Sequence, residues 1–246
     1  YRGKDFAGDL IGAQALEFVK ANQNRPFFLF YPTTTPHLAL QVPEDSLKEY
    51  AGKFEDEPYL GNKGYLPHKH PRAAYAAMIT RMDAEVGKLL SLLDELKLSE
   101  NTIVIFTSDN GPENLTYPVQ KEFGHASAGP LRGAKRMLYE GGHRVPFLAW
   151  GPGRVPEGRV EKEVICLTDM MATFAKVVGH KLPDNAAEDS YDVGAALFGK
   201  SAGQPRDKAI REATVHHSMN DEYGLRQGDW VLIESAKGAH GAAEPP

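Results

Sequence analysis

The sequence contains one cysteine, Cys166, in 246 residues, so no internal disulfide can staple the fold and packing must hold it. It contains no apolar run long enough to cross a bilayer. It carries no strong excess of charge: 28 Lys and Arg stand against 33 Asp and Glu, a net −5. That balance argues against a general nucleic-acid or anionic-membrane surface. Internal repeats and low-complexity tracts are also missing. The chain opens on Tyr1 rather than Met and closes on Pro245-Pro246, so it is expected to be a fragment or processed piece. A missing leader then says nothing about destination.

What is present alternates between strand and helix patterns. Residues 9–22 place Ile11, Ala15, Phe18 and Val19 on one helical face. PFFLFY (26–31) is a short continuous apolar run, as for a strand covered on both sides. A long helix is predicted over 71–98, where Met78, Met82, Val86, Leu89, Leu93 and Leu96 recur at three- and four-residue steps. TIVIFT (102–107) and VPFLAW (145–150) are two further buried-strand patterns. Thr168 or Asp169 can cap a helix carrying the core residues Met170, Met171, Phe174 and Val177, stopped by Gly179. Such alternation predicts an α/β fold, a mostly parallel sheet with helices on both faces. From about residue 205 the pattern changes: ATVHHS, YGLRQ and WVLIE are short strand-like runs, with a hairpin turn at Gln227-Gly228-Asp229. The expected organisation is one large unit, 1–204, and a small antiparallel C-terminal subdomain, 205–246.

The stretch FTSDNGPE ends an apolar strand on Asp109-Asn110. In open α/β sheets, ligands sit outside the carboxyl ends of strands. TTTPH leaves the carboxyl end of the first predicted strand, so His37 is expected on the same edge if the strands are parallel. A carboxylate beside an amide oxygen suits a hard cation such as calcium or magnesium. Taken alone, Asp-Asn-Gly-Pro reads equally as a turn, which these residues form well.

Several further motifs share an order with it. FFLFYPTTTPH, YAAMITRMDAEVGKLL, SDNGP, LRGAK, YEGGHRVP and WGPG together resemble the sulfatase family of the alkaline-phosphatase superfamily over residues 9–180. His143 stands where an aliphatic residue is commoner in that family. The resemblance implies an alkaline-phosphatase-like fold and hydrolysis of a sulfate ester through a formylglycine nucleophile and one divalent cation, calcium. It implies that Asp109 and Asn110 are metal ligands. By the same resemblance Lys135 contacts the sulfate, and His37 binds the sulfate or the leaving-group oxygen. Arg132 is a weaker substrate-binding candidate that can equally brace its loop. Glu140 and Arg144 are expected to tie the YEGGHR loop together, and Arg72 and Asp83 to be scaffold. His125, His143, His216 and His217 match no zinc spacing.

The C/S-x-P-x-R motif that yields formylglycine does not occur, since Cys166 sits in CLTDM. The family's early Asp-Asp metal pair is missing as well. The chain therefore resembles the C-terminal half of a sulfatase, expected to be inactive alone and to need the N-terminal half. Related phosphatases, phosphonate hydrolases and phosphodiesterases, or a non-catalytic binding member, are the alternatives. Specificity is expected in residues 38–70, FGHAS (123–127) and the subdomain. Tyr50, Tyr59, Tyr65, His68 and His70 would suit a sugar or aryl ring, and a sulfated carbohydrate is the family habit. Periplasmic, extracellular or lysosomal placement is likewise family habit only.

Overall fold

The computed structural model describes residues 4–62, 64–113, 121–199 and 209–234. The chain divides into two compact units, residues 1–102 and 103–246.

The first unit is helical. Helix α1 (Ala7–Asn22) buries Ala15 and Val19, four residues apart, against α3 (Pro71–Glu95), which buries Ala73, Ala74, Ala77, Met78, Leu92 and Leu93. The three- and four-residue spacing of these positions makes the contact stripe. Small residues on both helices let the backbones approach, and Arg81 of α3 locks them with a two-toothed grip on Asp9 (2.6 and 2.5 Å). A fork on a carboxylate fixes register as well as distance. The N-terminus of α3 has Pro71 at its first position, where no amide is needed. Its next two amides, of Arg72 and Ala73, donate to the Asp56 carboxylate at 2.8 and 3.1 Å. The long segment 32–70 is thus tethered to the helix start. It also carries a short helix, α2 (Glu44–Lys48), and an antiparallel bridge between Tyr59 and His68.

Residues 26–31, expected as a strand, form none. An apolar run becomes a buried strand only where neighbours cover both faces. The described residues form no ladder here, and Phe28 and Phe30 are 69% and 75% exposed.

In the second unit β1 (Val104–Thr107) pairs with β2 (Phe147–Trp150), Val104 opposite Trp150 and Thr107 opposite Phe147. The pairing is antiparallel, and no strand pair among the described residues is parallel as expected. Parallel neighbours require a crossover, usually helical. Between β1 and β2 the described chain offers three helical residues, 121–123, a loop and the single turn α4 (Glu140–His143), and it returns antiparallel.

Helix α5 (Met170–Val177) follows a 3₁₀ turn, Leu167–Asp169, and α6 (Gly194–Phe198) lies beyond it. Of the two expected caps, Thr168 or Asp169, Asp169 stands at the N-cap of α5 but makes no side-chain cap hydrogen bond to it. Fully buried, it accepts from the amides of Cys166 (2.7 Å) and Tyr191 (3.0 Å) and from Arg211 Nη2 (2.5 Å). Four points of the chain meet on one carboxylate. Breaking a buried pair of this kind by removing one partner costs about 3–5 kcal/mol.

The C-terminal strands β3 (Thr214–His217), β4 (Tyr223–Gln227) and β5 (Trp230–Glu234) form the expected antiparallel sheet. Gln227 pairs with Trp230 across Gly228-Asp229, where Gly228 has φ +55, as a two-residue hairpin requires. The expected boundary at 205 lies outside the described residues. Strand alternation puts His216, Gly224 and Arg226 on one face, and that face docks on residues 138–143. Gly224 lies against Leu138, and Arg226 Nε donates to Glu140 Oε1 (3.1 Å). The His216 ring stacks on His143 at 3.7 Å between centroids.

Burial, with His143 beside it, pushes the His216 imidazole down to about 4, against the pull of Glu140. An imidazole whose folded value lies below its ordinary 6.5 binds its proton more readily when unfolded, so acidification favours unfolding. Its contribution is complete above about pH 6.5 and disappears as pH falls toward about 4. Urea midpoints measured from pH 7 to 4 are expected to fall through that window. His216→Phe, which keeps a ring on His143 but cannot titrate, is expected to flatten the slope. An unchanged slope would remove His216 as its source.

Candidate active site

β1 delivers Ser108, Asp109 and Asn110 at its carboxyl end. Ser108 Oγ donates to the Asn110 carbonyl (3.0 Å), and Asn110 Nδ2 donates to the Gly111 carbonyl (2.9 Å). This commits the amide nitrogen to the turn and leaves Oδ1 as the atom available to a cation. Asp109 is exposed at the tip. Among the described residues no group of three His, Cys, Asp or Glu could hold a metal ion.

The turn is tied directly to the LRGAK and YEGGH segments. The amide of the buried Gly111 donates to the Gly142 carbonyl (2.9 Å), and the Lys135 amide donates to the Pro112 carbonyl (2.7 Å). Backbone meets backbone here with no room between. A Cβ on Gly111 would lie 1.8 Å from the Gly141 carbonyl oxygen, and one on Gly142 would lie 2.2 Å from that of Met137. These glycines are dictated by close approach. The Gly141 amide donates to the Arg132 carbonyl (2.6 Å), closing residues 132–142 into a ring of chain around buried Ala134 and Leu138. Half-buried Lys135 rises from that ring beside Pro112.

The charged neighbours brace this loop. Arg132 lies over the Tyr139 ring, 4.1 Å from its centroid, a cation–π contact. Glu140 pairs with Arg144 (3.2 Å), as expected of a structural tie. Arg136 pairs with Glu113 on the far side of the turn. Cys166 is unsuited to nucleophilic attack, because burial pushes its thiol up.

His37 belongs to the first unit. It is exposed, its amide donates to the Thr34 carbonyl (3.0 Å), and its ring meets that of Tyr65 edge-on at 6.1 Å. Of the other aromatic candidates in 38–70, Tyr50 stacks on Phe54 with Lys53 over its ring, and Tyr59 bridges His68. His125 and its FGHAS neighbours through Ala126 are exposed.

Sequence reasoning missed Arg226 and the Asp169–Arg211 pair. The alternation of β3 and β4 put His216 and Arg226 on one face, but nothing in the sequence named Glu140 and His143 as what that face meets.

Known proteins give the same reading. The family model described as Sulfatase matches residues 9–180. N-acetylgalactosamine-6-sulfatase of Canis lupus familiaris is 35% identical over 199 residues, 80% of this chain and 33% of that protein. N-acetylgalactosamine-6-O-sulfatase of Bacteroides thetaiotaomicron is 31% identical over 238 residues, 95% of this chain and 41% of that protein. A solved structure concerned with glycosaminoglycan metabolism in Bacteroides thetaiotaomicron superposes with a TM-score of 0.72 at 29% identity, covering 92% of this chain and 42% of that one. This chain thus spans well under half the length of these relatives. With the Sulfatase model matched across residues 9–180, the chain belongs to the sulfatase family.

Proposed function

We propose that the protein containing this chain hydrolyses the sulfate ester of a sulfated carbohydrate, releasing the alcohol and inorganic sulfate. The observation that carries this reading is the pair of backbone bonds, Gly111 to Gly142 and Lys135 to Pro112, which join an oxygen-donor pair to a lysine. A cation site and a fixed positive charge on one rigid support suit a dianionic leaving product. The two named relatives act, by their names, on N-acetylgalactosamine 6-sulfate, and that sugar sulfate is the first substrate to assay.

Asp109 and Asn110 offer only oxygen atoms, the donor set of a hard cation, and calcium fits it. Calcium takes six to eight oxygens, so the remaining ligands are proposed to come from a further segment of the protein. That segment is also proposed to hold the formylglycine nucleophile, since no C/S-x-P-x-R occurs here. When bound, the cation neutralises terminal sulfate oxygens and orients the attacking oxygen.

The chain's own residues do the rest. Lys135 holds a terminal sulfate oxygen, and its charge opposes the negative charge that gathers there as the S–O bond breaks. His37 gives a proton to the bridging oxygen, so the sugar leaves as an alcohol rather than an alkoxide. Arg132, held over Tyr139, is more brace than sulfate ligand.

In the full-length protein, Asp109→Ala is expected to abolish calcium-dependent turnover and lower bound calcium, with the circular dichroism spectrum retained. Lys135→Ala is expected to lower kcat/KM by about 10²–10³-fold. Normal turnover and metal content in the first variant would defeat the metal assignment.

His37→Ala is expected to slow hydrolysis of a sugar sulfate by about 10²-fold and of an activated aryl sulfate far less, because a good leaving group needs little protonation. Equal losses on both substrates would make His37 a binding residue instead.

The 246-residue chain assayed alone with an aryl sulfate and calcium is expected to show no turnover, and co-expression with the rest of the protein and a formylglycine-generating enzyme to restore it. Turnover by the chain alone, above a Lys135→Ala control, would mean the chemistry does not need that nucleophile.

A further inference from the structure

Two side chains on one face of the C-terminal sheet, His216 and Arg226, touch the loop that supports the candidate metal ligands, and one of those contacts is charged. Arg226 Nε lies 3.1 Å from Glu140 Oε1. Glu140 opens the single turn α4 and is shared with Arg144 on its other oxygen. Two residues on, Gly142 presents the carbonyl that accepts from the Gly111 amide (2.9 Å), and Gly111 follows Asn110 directly. His143, the last residue of α4, is clasped by the His216 ring (3.7 Å) and anchored through Nε2 to the Leu138 carbonyl (3.1 Å). Each end of α4 is thus gripped by the same sheet face, and the carbonyl between the grips holds the turn that carries Asp109 and Asn110.

A one-turn helix has little stiffness of its own, because four residues are too few for helical cooperativity. Its position must be imposed from outside. The side chains that impose it are Arg226 and His216 from the sheet and Arg144 from the loop itself. Arg144 is 63% exposed at its side chain, whereas Arg226 is 23% exposed. An exposed, four-residue-spaced pair contributes little, and the half-buried Arg226 contact is the stiffer restraint.

We propose that Arg226 is a positioning residue for the cation site: through Glu140 and the Gly142–Gly111 hydrogen bond it sets the place of Asp109 and Asn110, which makes the C-terminal sheet part of the active-site scaffold. The inference rests on the reading above that Asp109 and Asn110 bind a divalent cation. Outer partners of metal ligands typically tune affinity by about 10–100-fold, and Arg226 acts at one further remove, so a loss near the lower end is expected.

The test uses the full-length protein stripped of metal with a chelator, titrated with calcium by calorimetry, with melting temperature recorded separately in chelator. Arg226→Gln is expected to weaken calcium affinity about tenfold, Arg226→Lys to recover part of it, and Glu140→Gln to weaken it without adding to Arg226→Gln in the double variant. Thr173→Val, which removes a buried hydroxyl whose hydrogen bonds run to Asp169, Tyr191 and Val193, is the control for instability: its melting temperature is expected to fall with calcium affinity unchanged. Hydrogen exchange of the 104–113 peptide is expected to rise in Arg226→Gln and not in Thr173→Val. If Asp109→Ala loses calcium while Arg226→Gln keeps it within twofold, the positioning role is overturned and the metal assignment stands. If Thr173→Val loses as much calcium as Arg226→Gln, the effect is general instability and the positioning role is again overturned. If Asp109→Ala itself keeps its calcium, both readings fall together.

Discussion

The hydrogen bond from the Gly111 amide to the Gly142 carbonyl is the constraint on which the arrangement of Asp109, Asn110 and the 132–142 loop depends. It joins the end of a strand to a loop more than thirty residues onward in sequence. It does so at a distance that leaves no space for a β-carbon on either side. Around it, backbone contacts place Lys135 through Pro112 and Gly141 through Arg132, and side-chain bonds from Ser108 and Asn110 tighten the turn. Backbone groups cannot rotate away, so a site built on them is pre-positioned in the way that electrostatic catalysis needs.

Within each unit, polar interactions hold distant segments together. Asp169 gathers Cys166, Tyr191 and Arg211 at one buried point. Asp56 reaches back to the start of α3, and Arg81 clasps Asp9. Each of these joins segments far apart in the chain, which a single apolar core of small helices and short strands would leave loosely ordered. Carboxylates that accept from several donors at once are well suited to that task, since each fixes several directions.

Much of this was legible from the sequence, and the reasons are physical. Period-3.6 spacing marked α1 and α3 because those helices are amphipathic, with one face buried. Turn chemistry marked the Gly228 hairpin because a two-residue loop needs a positive φ. The sequence of short motifs marked Asp109, Asn110 and Lys135, whose common support is now visible. Residues 26–31 misled because an apolar run states that a segment prefers cover, not that a ladder partner is at hand. Strand direction misled because alternation of strand and helix patterns is silent about which strands become neighbours, and 104–107 returns to 147–150 through a loop. His37 belongs to a different unit from Asp109 and Asn110, and local sequence does not mark where one unit ends. Asp169 and Arg226 escaped because their partners are distant, and a lone charged residue reads as solvated until its partner is known.

The steric closure at Gly111 and Gly142 also has a meaning for anyone who would move this site elsewhere. A graft of residues 109–113 alone would carry Asp109 and Asn110 but not the surface against which their turn is pressed. Residues 132–144 supply that surface, and its position is set in turn by His216 and Arg226. The smallest transplantable piece is therefore three segments held in register, and a recipient scaffold has to accept all three at once. Side-chain redesign within the piece is confined to exposed positions such as 144, because at the glycines there is no side chain to redesign.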